Sequence, residues 1–104
     1  MSLMVKNNLL DLQLLEKAAE CLRTLSHPHR LRMVEILLKG ACSVGELAAA
    51  CDIQSHMASE HLRLMKDRGF LKSERHGRNV LYDIDEPCLA SIMGCIEQHF
   101  QSQV

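Results

Sequence analysis

Residues 70–84, FLKSERHGRNVLYDI, read as two strands about a single glycine, inside a chain whose other segments all read as helices. FLKSER and NVLYDI carry the period-two patterning of a half-buried strand. Between them Gly77, in His76-Gly77-Arg78, supplies the positive φ of a tight turn. One hairpin set among helices leaves few architectures open, and its position near the end of the chain narrows them further.

Before the hairpin, residues 9–25 (LLDLQLLEKAAECLRTL) read as a helix rich in Leu and Ala, with an apolar surface wider than one stripe. A second helix is expected over 27–39, with Pro28 at a first-turn position and Gly40 at its stop. Ser43-Val44-Gly45-Glu46 fits the S-x-x-E capping box and opens a short helix through Ala50. A fourth runs from about Ser55 to Arg68 and is ended by Gly69. After the hairpin, Pro87 starts a last helix with Leu89, Ile92, Met93, Ile96 and Phe100 at spacings of three and four. The order helix-helix-helix-helix-strand-strand-helix is mainly α with a small β-hairpin. Two short helices joined by a tight turn and followed by a hairpin describe a winged helix-turn-helix. With 104 residues and neither repeats nor a linker, residues 1–104 form one expected domain. Aromatics are 3% with no Trp, so the core is aliphatic, and a chain this short calls for a partner subunit to finish it.

The overall charge of −1 says little, but its distribution does. Residues 1–53 balance. Residues 54–78 carry Arg63, Lys66, Arg68, Lys72, Arg75 and Arg78 against Glu60, Asp67 and Glu74, a net +3. Residues 79–104 carry only Asp83, Asp85, Glu86 and Glu97, a net −4. A polyanion meets the middle of such a chain and avoids its end. No apolar stretch approaches the ~18 residues of a membrane span, and no signal-peptide h-region opens the chain. Five cysteines, an odd number with no Cys-x-x-Cys pair, argue against a disulfide scaffold and for a reducing cytoplasm.

On a helical wheel of residues 55–68, Ala58, Leu62 and Met65 cluster on one side with His61 at its edge. His56, Glu60, Arg63 and Asp67 lie opposite, and Ser59 falls between. Short polar groups near the N-terminus of such a helix suit the end that enters a DNA major groove first. A plain amphipathic helix with a solvated face has the same wheel. The hairpin tips the balance, because Lys72, Arg75 and Arg78 flank a glycine turn that reaches phosphates or the adjacent minor groove.

Four segments in order, LRTLSHPHRLRMVEILL, SVGELAAACDI, SEHLRLMKDRGFL and RHGRNVLYDI, resemble the ArsR/SmtB type of bacterial winged-helix repressor over about residues 17–100. The resemblance implies a homodimer held by the first and last helices (9–25 and 87–101), through Leu10, Leu14, Cys21, Leu89, Ile92, Met93 and Ile96. It implies double-stranded DNA with an inverted-repeat operator as partner, release by an inducer, and the cytoplasm of a bacterium as location. DNA contacts are expected from Gln54, Ser55, His56, Ser59, Glu60, His61 and Arg63 of the recognition helix and from Arg75, His76 and Arg78 of the wing. The chain departs from the family's Ser-Gln-Ser run with Gln54-Ser55-His56. Gln is a poor N-cap, so Ser55 is the expected cap and the helix starts one residue late. Glu60 either accepts from cytosine N4 or pairs with Arg63 on the helix surface.

Arsenic-responsive members place a Cys-x-Cys where this chain has Ser43 and Gly45, so that site is absent. At the positions of the zinc site stand Glu86, Cys88, His99 and then Ser102. Carboxylate, thiolate and imidazole are competent ligands for a zinc-like divalent ion as inducer, although such a trio also arises by chance in a helix with an acidic start. Cys21, Cys88 and Cys95, on the helices expected at the dimer interface, offer a thiol-reactive alternative. Cys42 and Cys51 read as small core residues, and His27, His29 and His76 as solvent-facing. A winged-helix protein–protein module remains the competing class, since the fold does not fix function. No Gly-rich phosphate loop, nucleophile elbow or H-E-x-x-H motif supports an enzyme.

Overall fold

The computed structural model describes residues 8–101. Asp11 caps helix α1 (Leu12–Leu25), its carboxylate accepting from the Gln13 N–H, so the helix begins three residues later than the leucine pattern suggested. Helix α2 (Pro28–Leu37) starts on Pro28 and is capped by the His27 ring. A two-residue strand that the sequence did not disclose, β1 (Cys42–Ser43), then leads into α3 (Val44–Cys51). Ser43 serves both elements: its backbone pairs with Leu81, and its hydroxyl accepts from the Glu46 N–H at 3.2 Å. The Glu46 carboxylate returns to the Ser43 N–H at 2.9 Å, which completes the capping box.

Asp52 ends α3 in the left-handed conformation at φ 54°, which Asp tolerates because its short polar side chain compensates locally. Helix α4 (Ser55–Asp67) follows after three residues. Its N-cap is Gln54 rather than Ser55, and no side chain accepts a hydrogen bond there. The hairpin consists of β2 (Leu71–His76) and β3 (Asn79–Ile84), paired from Leu71↔Ile84 to His76↔Asn79. Only Gly77 and Arg78 form the turn. With Gly77 at φ 63° and Arg78 outside the left-handed region, this is the II′ pattern that matches the twist of the strands. The sheet order β1-β3-β2 makes β3 its centre. Helix α5 (Cys88–Gln101) closes the described chain, opened by the Glu86 carboxylate accepting from the Cys88 N–H at 2.9 Å. Among the described residues no helix is long and apolar enough to cross a membrane.

As expected, the core is aliphatic. Met33, Leu37, Leu47, Leu62, Met65, Leu71 and Leu89 are fully buried, and Phe70 and Tyr82 supply its aromatics. Of helix α1 only Leu25 and Thr24 are buried in it, with Cys21 packed partly against it. Leu12, Leu14, Leu15 and Leu22 stand 68%, 50%, 44% and 55% exposed, an apolar face that one chain leaves uncovered.

Candidate nucleic-acid interface

Helices α3 and α4 pack through small and aliphatic side chains. Ala58, Leu62 and Met65 are wholly buried on the inner face of α4, against a core that includes Leu47 and Ala48 of α3. Burying that stripe forces the other side of α4 outward, so His56, Glu60, Arg63 and Asp67 are exposed, and Ser59 is half-buried on the flank. Gln54 and Ser55 are exposed at the N-terminus. The Gln54 carbonyl accepts from the Met57 and Ala58 N–H groups at 3.0 and 3.1 Å. With no side-chain cap, the Ser55 and His56 N–H groups are directed off the end of the helix, where its dipole is positive. The surface pair considered for Glu60 and Arg63 does not form among the described residues, since neither takes part in an ion pair there.

The hairpin follows α4, with Lys72, Arg75, His76 and Arg78 all exposed. Lys66 Nζ donates to Ser73 Oγ at 2.7 Å and ties the later turns of α4 to β2. Arg68 approaches Glu20 of α1 at 3.6 Å, an exposed pair of little energetic weight. His76 Nε2 lies 3.7 Å from the Glu74 carboxylate on the same face of β2.

His61 departs from the outward set. It is half-buried and points at α2, where Arg30 Nε donates to its Nδ1 at 3.0 Å, while Arg30 Nη1 donates to the Thr24 carbonyl at 2.9 Å. His27 and His29 close around it. The His27 and His61 ring centroids are 4.5 Å apart, those of His27 and His29 5.3 Å, and those of His29 and His61 6.1 Å. The expectation that His27 and His29 face solvent is therefore corrected: packing α2 against α4 folds both into a half-buried cluster. His27 Nδ1 accepts from the His29 N–H at 3.1 Å, and His29 Nδ1 is buried without a hydrogen-bond partner. Burial, reinforced by the charge of Arg30 and the neighbouring rings, lowers the pKa of both His27 and His61. The signal that could have found this cluster is the Ser-His-Pro-His run at the start of α2, but its third member lies 32 residues beyond His29.

The residues expected at a subunit interface divide. Leu10 and Leu14 are exposed. Leu89 and Met93, by contrast, are buried in this chain's own core, because α5 folds back on α2 through the face that carries them. Ile92 and Ile96 are half-buried, and Phe100 is 58% exposed. Cys21 is half-buried against the core, and Cys88 and Cys95 are exposed. Cys42 and Cys51 pack against the core as expected, and desolvation raises both thiol pKa values.

Glu86 and Cys88 do meet. A hydrogen bond from the thiol to the Glu86 carboxylate, followed by the carboxylate's charge, raises the Cys88 pKa. His99 lies near the other end of α5, edge-on to Phe100 at 4.7 Å, so one chain does not bring the three together. Ser102 lies outside the described residues.

The family described as a helix-turn-helix domain matches residues 25–74. The chain is 32% identical over 84 residues to the HTH-type transcriptional regulator YgaV of Escherichia coli, covering 79% of this chain and 84% of that protein. It is 36% identical over 81 residues to the HTH-type transcriptional repressor SmtB of Mycobacterium tuberculosis, covering 78% and 60%. Among solved structures, the transcriptional repressor BigR from Xylella fastidiosa superposes with a TM-score of 0.78 at 27% identity, over 96% of this chain and 97% of that one.

Proposed function

The chain belongs to the ArsR/SmtB family of helix-turn-helix transcriptional regulators, and from that premise we propose that it is a homodimeric, sequence-specific DNA-binding repressor released from its operator by an inducer. One observation carries this reading: Ala58, Leu62 and Met65 bury one face of α4 and leave its uncapped N-terminus and its polar stripe exposed, and the basic hairpin that follows α4 is exposed as well. A helix presented end-first with open N–H groups suits a phosphate at its tip and base edges along its first turns. Gln54, Ser55, His56, Ser59, Glu60 and Arg63 are the candidates for base and backbone contacts. Arg75, His76 and Arg78, with Lys72, serve phosphates or the adjacent minor groove. His61 acts from behind the helix and does not reach base edges.

The partner is an inverted-repeat operator read by a dimer, with the two recognition helices about 34–36 Å apart. The exposed leucines of α1, together with Ile96 and Phe100 of α5, are the surface a second copy covers. An inducer site at Glu86, Cys88 and His99 requires two chains, because the acid and thiolate of one α5 meet the imidazole of another only if the helices run antiparallel across the dyad.

Selection of bound fragments from sheared bacterial DNA tests the reading. Recovery of a shared inverted repeat, lost when His56 and Arg63 are both changed to Ala in a protein of unchanged helicity, supports it. Uniform retention of all fragments by wild type and variant alike overturns operator specificity.

A further inference from the structure

We propose that His27, His29 and His61 form a binding site for a divalent transition-metal ion, and that the ion competes with Arg30 for His61. The proposal deepens the reading of the chain as an inducible repressor, and its coupling to DNA rests on α4 being the recognition helix. One ring nitrogen from each of the three histidines lies within 4.8 Å of the others. The tetrahedral site of a zinc-like ion, with metal–nitrogen bonds of about 2.0–2.1 Å, spaces its donors about 3.4 Å apart. Side-chain rotations of little more than an ångström therefore close the shell. His29 Nδ1 already sits buried with no hydrogen-bond partner, a lone pair or N–H that the protein itself leaves unused.

The donor set identifies the class of ion. Three imidazoles suit zinc, cobalt(II), nickel(II) or copper(II), whereas calcium and magnesium take oxygen ligands. Three protein ligands leave a fourth position for water.

Arg30 gives the site its consequence. A neutral imidazole has one N–H and one lone pair. Because His61 Nδ1 accepts from Arg30 Nε, its lone pair is at Nδ1 and its proton at Nε2. An ion that takes Nδ1 displaces the guanidinium. An ion that takes Nε2 moves the proton to Nδ1, where it faces the Arg30 N–H. Either way the bond between α2 and α4 ends. Nδ1 of His27 is occupied in the same manner by the His29 N–H, so the α2 cap is also lost on binding. Arg30 keeps its bond to the Thr24 carbonyl at the end of α1. Loading thus replaces an arginine tether running from α1 to the recognition helix with direct coordination from the start of α2.

Cobalt(II) titration of the metal-free full-length protein, without DNA, tests this. In Cys88→Ser protein, which lacks the Cys88 thiolate, the expected result is one ion per chain, with intense four-coordinate visible bands, no thiolate charge-transfer absorption, and displacement by zinc. His29→Ala removes the bands and Cys88→Ser keeps them. Arg30→Met, which cannot donate, tightens cobalt binding about tenfold or more, the factor that corresponds to a lost charge-assisted hydrogen bond. On wild-type protein, zinc shifts the ring 15N resonances of His27, His29 and His61 together, a readout that needs no variant. Absence of cobalt binding, or bands that survive His29→Ala and vanish with Cys88→Ser, overturns the site. Unchanged affinity in Arg30→Met overturns the competition. Failure here leaves operator binding untouched, and failure of operator binding leaves the cobalt spectra as described, so the two readings fall separately.

Discussion

Arg30 Nε and His61 Nδ1 are joined by a 3.0 Å hydrogen bond across 31 residues of sequence, from the first turn of α2 to the middle of α4. The same guanidinium holds the Thr24 carbonyl near the end of α1. One side chain thereby fixes the helix proposed to read DNA relative to the helix proposed to join the subunits. Arg30→Ala should cost about 1.5–3 kcal/mol, the usual range for hydrogen bonds to a charged group. Arg30→Lys should recover only part of it, because an ammonium cannot serve both acceptors with the geometry of a fork. Urea unfolding at fixed protein concentration measures both; equal stability of Arg30→Ala and wild type would refute the tether.

The cluster makes stability depend on pH. Burial lowers the His27 and His61 pKa values below the ordinary 6.5, so the unfolded chain takes up protons that the folded one refuses. Their contribution is fully present above about 6.5. It falls away as the pH drops from there through the depressed folded values. Glu60 opposes the shift at His61, but as its smallest contributor. Stability measured from pH 8 to pH 5 should decline below about 6.5. His61→Gln, which cannot titrate, should flatten that decline, and an identical slope in the variant would show that the protons are taken up elsewhere.

The wing should supply affinity without sequence preference. Arg75→Ala with Arg78→Ala removes two exposed cations, one in β2 and one in the II′ turn itself. Binding should weaken similarly on all DNA, and the salt dependence should flatten by about 0.9 log units per lost phosphate contact. A double variant with the wild-type salt slope would place the wing away from the phosphates.

Much of this arrangement was legible because it is written in local rules. The Ser43–Glu46 capping box, the Gly77 turn and the apolar stripe of Ala58, Leu62 and Met65 each depend on residues within one or two turns of one another. Strand β1 was not legible, since two residues carry no periodicity and pair only because β3 is already there. Leu89 and Met93 fill this chain's own core, which the sequence does not reveal because an apolar helical stripe fits a core and a subunit interface equally well until the neighbouring helix is placed. The histidine cluster joins positions separated by more than thirty residues, so only the packing of α2 on α4 assembles it.

The uncovered leucines of α1 should drive dimerisation. Leu14→Glu with Leu22→Glu alters side chains 50% and 55% exposed in one chain, so the fold of the subunit should survive. Burying two carboxylates at an interface without partners is unfavourable. Sedimentation should show a helical monomer with strongly reduced operator affinity, whereas a variant that remained dimeric would move the interface off α1.

The bare N-terminus of α4 leads to a prediction in which stability and binding move in opposite directions. Gln54 makes no side-chain cap, although Ser or Asp at that position would satisfy a first-turn N–H and typically stabilise a helix by about 1 kcal/mol. If the His56 N–H is kept open for a phosphate, Gln54→Ser supplies it with an internal acceptor that competes with DNA. Thermal unfolding of Gln54→Ser should then rise by a few degrees while operator affinity falls about threefold to tenfold, the factor for one displaced backbone contact. Gln54→Asp should gain as much stability and lose more affinity, because its charge also repels the phosphate that the helix dipole attracts. A Gln54→Ser protein that is both more stable and equally tight on its operator would show that the N–H groups at the tip of α4 do not touch the backbone of the DNA.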